Sequence, residues 1–159
     1  MSKKLAWSQV LVLLGGAVFA WYTTVQNFVR FYRFEGTLFK IHNCAIPNPL
    51  TEPCFYGAVA FLIAFVWMLR ILRAPAAGRQ LRYLFWFLAA GVIFAWINVA
   101  REFVAFYTAK GAPVVGCSAT PIVNPFTTPC FVGASIFLLS LLLTAVQYSR
   151  FSKSRIGLR

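Results

Sequence analysis

Four apolar runs alternate with shorter polar stretches along the chain, at about Trp7 to Tyr32, Pro53 to Leu72, Leu81 to Tyr107 and Pro129 to Gln147. Crossing a bilayer takes about 20 helical residues at about 1.5 Å each, and every run is long enough. The runs lack the strict two-residue alternation of a membrane barrel strand, so each predicts a spanning helix. The first and third are the longest, and they are expected to tilt or to protrude.

The pattern repeats. Gly16 matches Gly91, Trp21 matches Trp96, and "FVRFYRFEG" from Phe28 matches "FVAFYTAKG" from Phe103, all at an offset of 75. After the intervening loop the offset is 76: Asn48 matches Asn124, Pro53 Pro129, Cys54 Cys130, and Gly57 Gly133. Each unit is two helices with a loop between them. Because each unit crosses twice, both insert in the same direction, which excludes an inverted repeat. The expected architecture is therefore an all-α integral membrane protein. It is a four-transmembrane-helix bundle of two parallel tandem repeats, residues 1–76 and 77–159, with both termini cytoplasmic.

Composition supports the membrane reading. The chain of 159 residues is 60% hydrophobic and 11% charged, where a soluble domain carries about a quarter charged residues. The net charge of +12 raises the question of nucleic acid. The basic residues are scattered between apolar runs rather than gathered on one polar domain, so no nucleic-acid partner is expected. The basic start and apolar stretch "MSKKLAWSQVLVLLGGAVFA" also fit a cleaved signal peptide. The third run repeats the first, and a retained spanning helix is expected instead.

Charge orients the chain. Lys3 and Lys4, then Arg70, Arg73, Arg79 and Arg82, then Arg150, Lys153, Arg155 and Arg159 gather at one end of the four runs. Under the positive-inside rule that end is cytoplasmic. Glu35, Glu52 and Glu102 and all four cysteines fall toward the other end. The inner (plasma) membrane of a bacterium, with the cysteine loops outside, is the expected location.

The two loops read CAIPNPLTEPCFYG and CSATPIVNPFTTPCFVG. Thr51 and Thr127 suit helix N-caps, and Pro53 and Pro129 suit a first turn. Gly57 and Gly133, with Ala58 and Ala134, are expected to let another helix approach closely. An exported face permits disulfides, and the expected pairing is Cys44 with Cys54 and Cys117 with Cys130, each within its own repeat. Spans of this size can fold back to the Cα separation a disulfide needs. Zinc is disfavoured, because the chain has no Cys-x-x-Cys and a single histidine, His42.

Four helices with outward cysteine pairs resemble the four-helix membrane oxidoreductases that pass electrons from thiols to a quinone. That resemblance lies in topology, and it implies redox-active cysteines. Against it stand the missing Cys-x-x-Cys and the use of the same widely spaced pair twice. Structural staples are the favoured reading on these grounds.

A polar layer sits near the outer ends of the first and third helices. Gln26, Asn27 and Arg30 in one, with Asn98, Arg101 and Glu102 in the other, make a candidate pocket between the repeats for an anion or a headgroup, with Glu102 as counter-charge to the arginines. The bland reading is snorkelling at the interface plus one ion pair. No bis-histidine haem, hydrolytic triad, phosphate loop or carboxylate pair can be assembled. Three functions remain. The leading one is a non-enzymatic accessory subunit or interaction module with rigid stapled loops, partnered by another membrane protein or by itself within the lipid bilayer. The second is a small-molecule or lipid-binding transporter or receptor. The third is a quinone-linked thiol–disulfide oxidoreductase. No cofactor is expected in the first case; a quinone or another lipid-soluble ligand belongs to the other two.

Overall fold

A computed structural model describes residues 3–41, 47–73, 77–109, 114–116 and 120–156. It contains four long helices: α1 (Lys3–Glu35), α2 (Pro53–Arg73), α3 (Ala77–Thr108) and α4 (Pro129–Ile156). There is no strand among the described residues, only an isolated bridge between Val115 and Pro121. All four helices are long and apolar enough to cross a membrane. The apolar runs located them well. The helices outrun those limits, most of all α4, because helical hydrogen bonding does not stop where apolar composition does.

Local chemistry sets the ends. Gly36 stops α1 in the left-handed region (φ +68°), and its N–H donates to Tyr32 O at 2.9 Å. That is the closing bond of a glycine C-cap. Before α2 and α4 the chain makes a short 3-10 turn, Pro49–Thr51 and Pro125–Thr127. Asn48 and Asn124 cap these turns, their side-chain oxygens accepting from Leu50 N and Phe126 N at 2.9 Å each. This corrects the assignment of Thr51 and Thr127 as caps of the long helices. Their hydroxyls instead donate back to the Asn48 and Asn124 carbonyls. The cap of α4 is one residue later: Thr128 Oγ1 accepts from Phe131 N at 3.3 Å.

The helices pack in a ring, α1 against α2 and α4, and α3 against α4 and α2, with a slighter contact between α2 and α4. Leu13, Phe61, Ala64, Met68, Leu84 and Leu88 form part of the core. Trp7, Leu11, Val18, Trp86, Ile93 and Ile97 point outward. So wide an apolar exterior is suited to lipid and not to water.

Two interfaces at the basic end of the bundle contrast sharply. Between α2 and α3 the buried positions Ala64, Met68, Ile71 and Leu84 are apolar. Shifted by 75 or 76 residues, these become Ser140, Thr144, Gln147 and Gln9, and all four are buried between α1 and α4. Gln9 Nε2 donates to Ser140 O and to Thr144 Oγ1, each at 3.0 Å. Gln147 Nε2 donates to Leu5 O at 3.3 Å. A polar seam thus joins the first helix to the last. Interhelical bonds of this kind contribute about 0.6–2 kcal/mol each in a bilayer.

Candidate functional site

The sequence places Cys54 and Cys130 in the first turn of α2 and α4, directly after the helix-starting prolines. The slight contact between these two helices brings the sulfurs together: Cys54 Sγ lies 3.4 Å from Cys130 Sγ. Nothing in the loop sequence pointed to this approach. It needs no interlocking of the loops, because the helix starts themselves meet. Cys130 is engaged in a disulfide, and at 3.4 Å its bond is not to Cys54, which keeps its thiol; the expected pairings involve Cys44 and Cys117, which lie outside the described residues, as does His42.

Beneath the sulfurs is an apolar cavity of about 80 Å³. Its lining comes in pairs separated by 75 or 76 residues, among them Phe19 and Phe94, Cys54 and Cys130, Gly57 and Gly133, and Phe61 and Phe137. The Phe61 and Phe137 rings lie 3.9 Å apart between centroids. Each ring is seated on a glycine of the preceding helix. A Cβ on Gly16 would come within 2.4 Å of the Phe61 ring, and one on Gly91 within 2.9 Å of the Phe137 ring. Gly57 and Gly133 do something else. A Cβ on either would meet nothing within 4 Å, so they keep the cavity open. This corrects their expected role in close helix approach, which falls instead to the fully buried Ala58 and Ala134.

A groove of about 600 Å³ lined by residues of α2 and α3 shares Tyr56, Ala60, Gly91, Phe94 and Asn98 with the cavity, and carries Thr51 and Arg101 as well. It lies alongside the cavity that Cys54 lines. Aromatic clusters flank the sulfurs. Phe55 meets Trp21 and Phe28 at 6.4 and 6.1 Å, and Phe131 meets Trp96 and Phe103 at 6.0 and 6.1 Å.

The polar layer divides in a way the sequence reading did not anticipate. Asn27 and Glu102, an offset of 75 apart, are both buried. Gln26 and Arg101 are exposed, Arg30 is half-buried, and Asn98 donates to Phe94 O of its own helix at 2.8 Å. Six residues read as one pocket therefore separate into an inner pair and an outer rim. Glu102 is held from within its own half, Thr128 Oγ1 donating to Glu102 Oε2 at 3.0 Å. Gly116 fits against the same carboxylate: a Cβ there would lie 2.9 Å from Glu102 Oε1.

Glu52, absent from the predicted site, is another buried carboxylate, only 6% exposed. Burial pushes its carboxyl up to about 7, with Arg30 pulling it the other way. Both Glu52 and Glu102 lie within electrostatic reach of the Cys54 sulfur. The hint available in sequence was position: Glu52 sits two residues before a helix-start cysteine, and an acid there is placed to act on it. No group of three or more histidine, cysteine or acidic residues suited to a metal occurs among the described residues.

Comparison with protein-family models, with characterised proteins and with solved structures finds no match to this chain.

Proposed function

We propose that the chain is a membrane thiol–disulfide oxidoreductase whose reacting pair is Cys54 and Cys130. The observation that carries this reading is the 3.4 Å contact between the two sulfurs at the head of an apolar cavity. Structural staples confined to separate loops would not need their sulfurs to touch across the bundle.

The chemistry balances as follows. Cys130 stands in a disulfide while Cys54 keeps its thiol. A substrate dithiol first reduces that bond and is itself oxidised to a disulfide. The Cys54 and Cys130 thiols then give up two electrons and two protons to a lipid-soluble quinone, which becomes the quinol as the Cys54–Cys130 bond forms. The groove between α2 and α3 gives such a flat, apolar acceptor a way in from the bilayer. The outer-loop cysteines Cys44 and Cys117 relay electrons from a substrate dithiol. At each exchange one S–S bond breaks as another forms. The accompanying architecture is two tandem helix–loop–helix copies about a pseudo-two-fold axis through the cavity, a reading supported by its paired lining. The basic end faces the cytoplasm of a bacterial cell, which puts the cysteines on the oxidising side.

The test uses purified chain in vesicles, dithiothreitol as dithiol and a short-chain ubiquinone analogue. Quinone reduction is expected to fall at least tenfold on Cys54→Ser or Cys130→Ser. Equal rates for wild type and both variants would overturn the reading. They would return the chain to a non-enzymatic accessory or interaction role with stapled loops, or to a small-molecule or lipid receptor built on the same cavity.

A further inference from the structure

At the basic end of the bundle α1 and α4 are tied together by side-chain hydrogen bonds, whereas the buried positions between α2 and α3 are apolar. On that apolar side the surface carries a groove of about 650 Å³. Leu62, Ile63, Val66, Trp67 and Arg70 of α2 line it, with Gln80 of α3. The α2 residues fall at i, i+1, i+4, i+5 and i+8, a single stripe along one face. The stripe is graded. Leu62, Ile63 and Val66 are exposed, and Trp67 is half-buried, its ring near that of Phe87. The polar members, Arg70 and Gln80, stand only near the ends of α2 and α3 that the short connection joins. Leu62 to Arg70 is about 12 Å of helix rise. Half of a hydrocarbon core is about 15 Å, so the groove runs from headgroup level to near the midplane of one leaflet.

Charge decides what fills it. The chain has three acidic residues, Glu35, Glu52 and Glu102, and all lie toward the opposite end: Glu35 closes α1, Glu52 precedes α2, and Glu102 is in the last turns of α3. No carboxylate side chain is therefore placed to pair with Arg70, and Arg73, Arg79 and Arg82 stand exposed at the same end. A guanidinium at the mouth of an apolar groove calls for an anion that brings its own apolar body. A neutral apolar molecule would leave the charge unanswered. A second copy inserted in the same direction would bring its own arginines to the same depth and repel. We infer that the groove is a binding site for an anionic phospholipid. The phosphate takes the Arg70 fork, the Gln80 amide donates to a phosphate or ester oxygen, and one acyl chain lies along Leu62, Ile63, Val66 and Trp67. No sulfur takes part, so the site stands whether or not the chain oxidises thiols.

The test reads Trp67. The full chain is reconstituted in phosphatidylcholine vesicles, and brominated phosphatidylglycerol or brominated phosphatidylcholine replaces part of the lipid. A brominated acyl chain touching an indole quenches its fluorescence, and the share of quenching that Trp67→Phe removes belongs to the groove. That share is expected to reach half its maximum at a phosphatidylglycerol fraction at least about fivefold below the phosphatidylcholine one, the preference about one arginine supplies. Arg70→Gln is expected to bring the two lipids within about twofold of each other, and Arg70→Lys to restore part of the difference. Arg82→Gln removes one charge from the same end, but that guanidinium lies over the Tyr83 ring at 5.8 Å. It is expected to keep the preference, which separates a built site from a diffuse basic field. Equal quenching by the two lipids in the wild type would overturn the inference. So would a preference that Arg70→Gln leaves intact, or one that Arg82→Gln abolishes as fully. Quenching by neither lipid would overturn it too, and would mark the face as covered by a second copy.

Discussion

The contact between Cys54 and Cys130 predicts a bond that joins the two halves of the chain. The perturbation is Cys44→Ser with Cys117→Ser, which leaves the two helix-start sulfurs alone. They stand 3.4 Å apart, and a disulfide needs about 2.05 Å. The required approach of roughly 1.4 Å is within reach of small side-chain rotations and no helix need move. Because the residues are 76 apart in sequence, closing that loop stabilises by about 4.5 kcal/mol in the chain-entropy model. The assay inserts a specific protease site after Arg73, between α2 and α3, oxidises the membranes mildly, cleaves, and separates the products without reductant. The two half-chains are expected to migrate together, to part on reduction, and to show a raised denaturation midpoint when oxidised. Within-half bonds cannot produce that result. Half-chains that separate after oxidation, with both thiols still open to alkylation, would refute the contact and the mechanism built on it.

Other outcomes follow from the packing. Gly16→Ala places a Cβ against the Phe61 ring at 2.4 Å and is expected to destabilise by about 1–3 kcal/mol in a detergent unfolding titration. Gly57→Ala meets nothing within 4 Å and is expected to leave that midpoint unchanged while slowing quinone reduction by partly filling the cavity. Gln9→Leu removes two bonds between α1 and α4 and strands the Thr144 hydroxyl's acceptor lone pair, a loss of about 1–2 kcal/mol in the same titration. Glu52 has a folded pKa of about 7 against 4.5, so the folded state holds its proton where the unfolded state has lost it. Stability from this carboxyl is complete below pH about 4.5 and lost as pH rises through about 7. Glu52→Gln is therefore expected to be more stable than wild type at pH 8, by up to about 3 kcal/mol, and equal to it at pH 4.

The helices were legible because a run of about 20 apolar residues has one outcome in a bilayer. Pro53 and Pro129 announced the starts of α2 and α4 to the residue. What the sequence hid was which residues meet across the bundle. The spacing of Cys44 and Cys54 invites a local pairing, whereas the approach of Cys54 to Cys130 depends on how four helices close into a ring, and no local pattern encodes that. Gln26 and Arg30 share a face by helical spacing, yet the face that turns inward is the one with Thr24, Asn27 and Phe31. Both faces carry polar residues, so periodicity alone did not choose between them. The seam around Gln9 left a clearer trace. Ser140, Thr144 and Gln147 stand four and three residues apart along an otherwise apolar helix, the spacing of a single polar stripe.

That seam also imposes an order on the making of the protein. Gln9 reaches the membrane with the first helix, but the groups it donates to lie 131 and 135 positions further along. At about 5–20 residues per second, translation delivers them roughly 7 to 27 s later. During that interval a buried amide has no permanent companion in the bilayer, and the α1–α2 hairpin waits half-finished in the lipid. Only when α4 follows does the Gln9 amide find its acceptors. A chain truncated before Ser140 leaves the Gln9 amide without either of these acceptors.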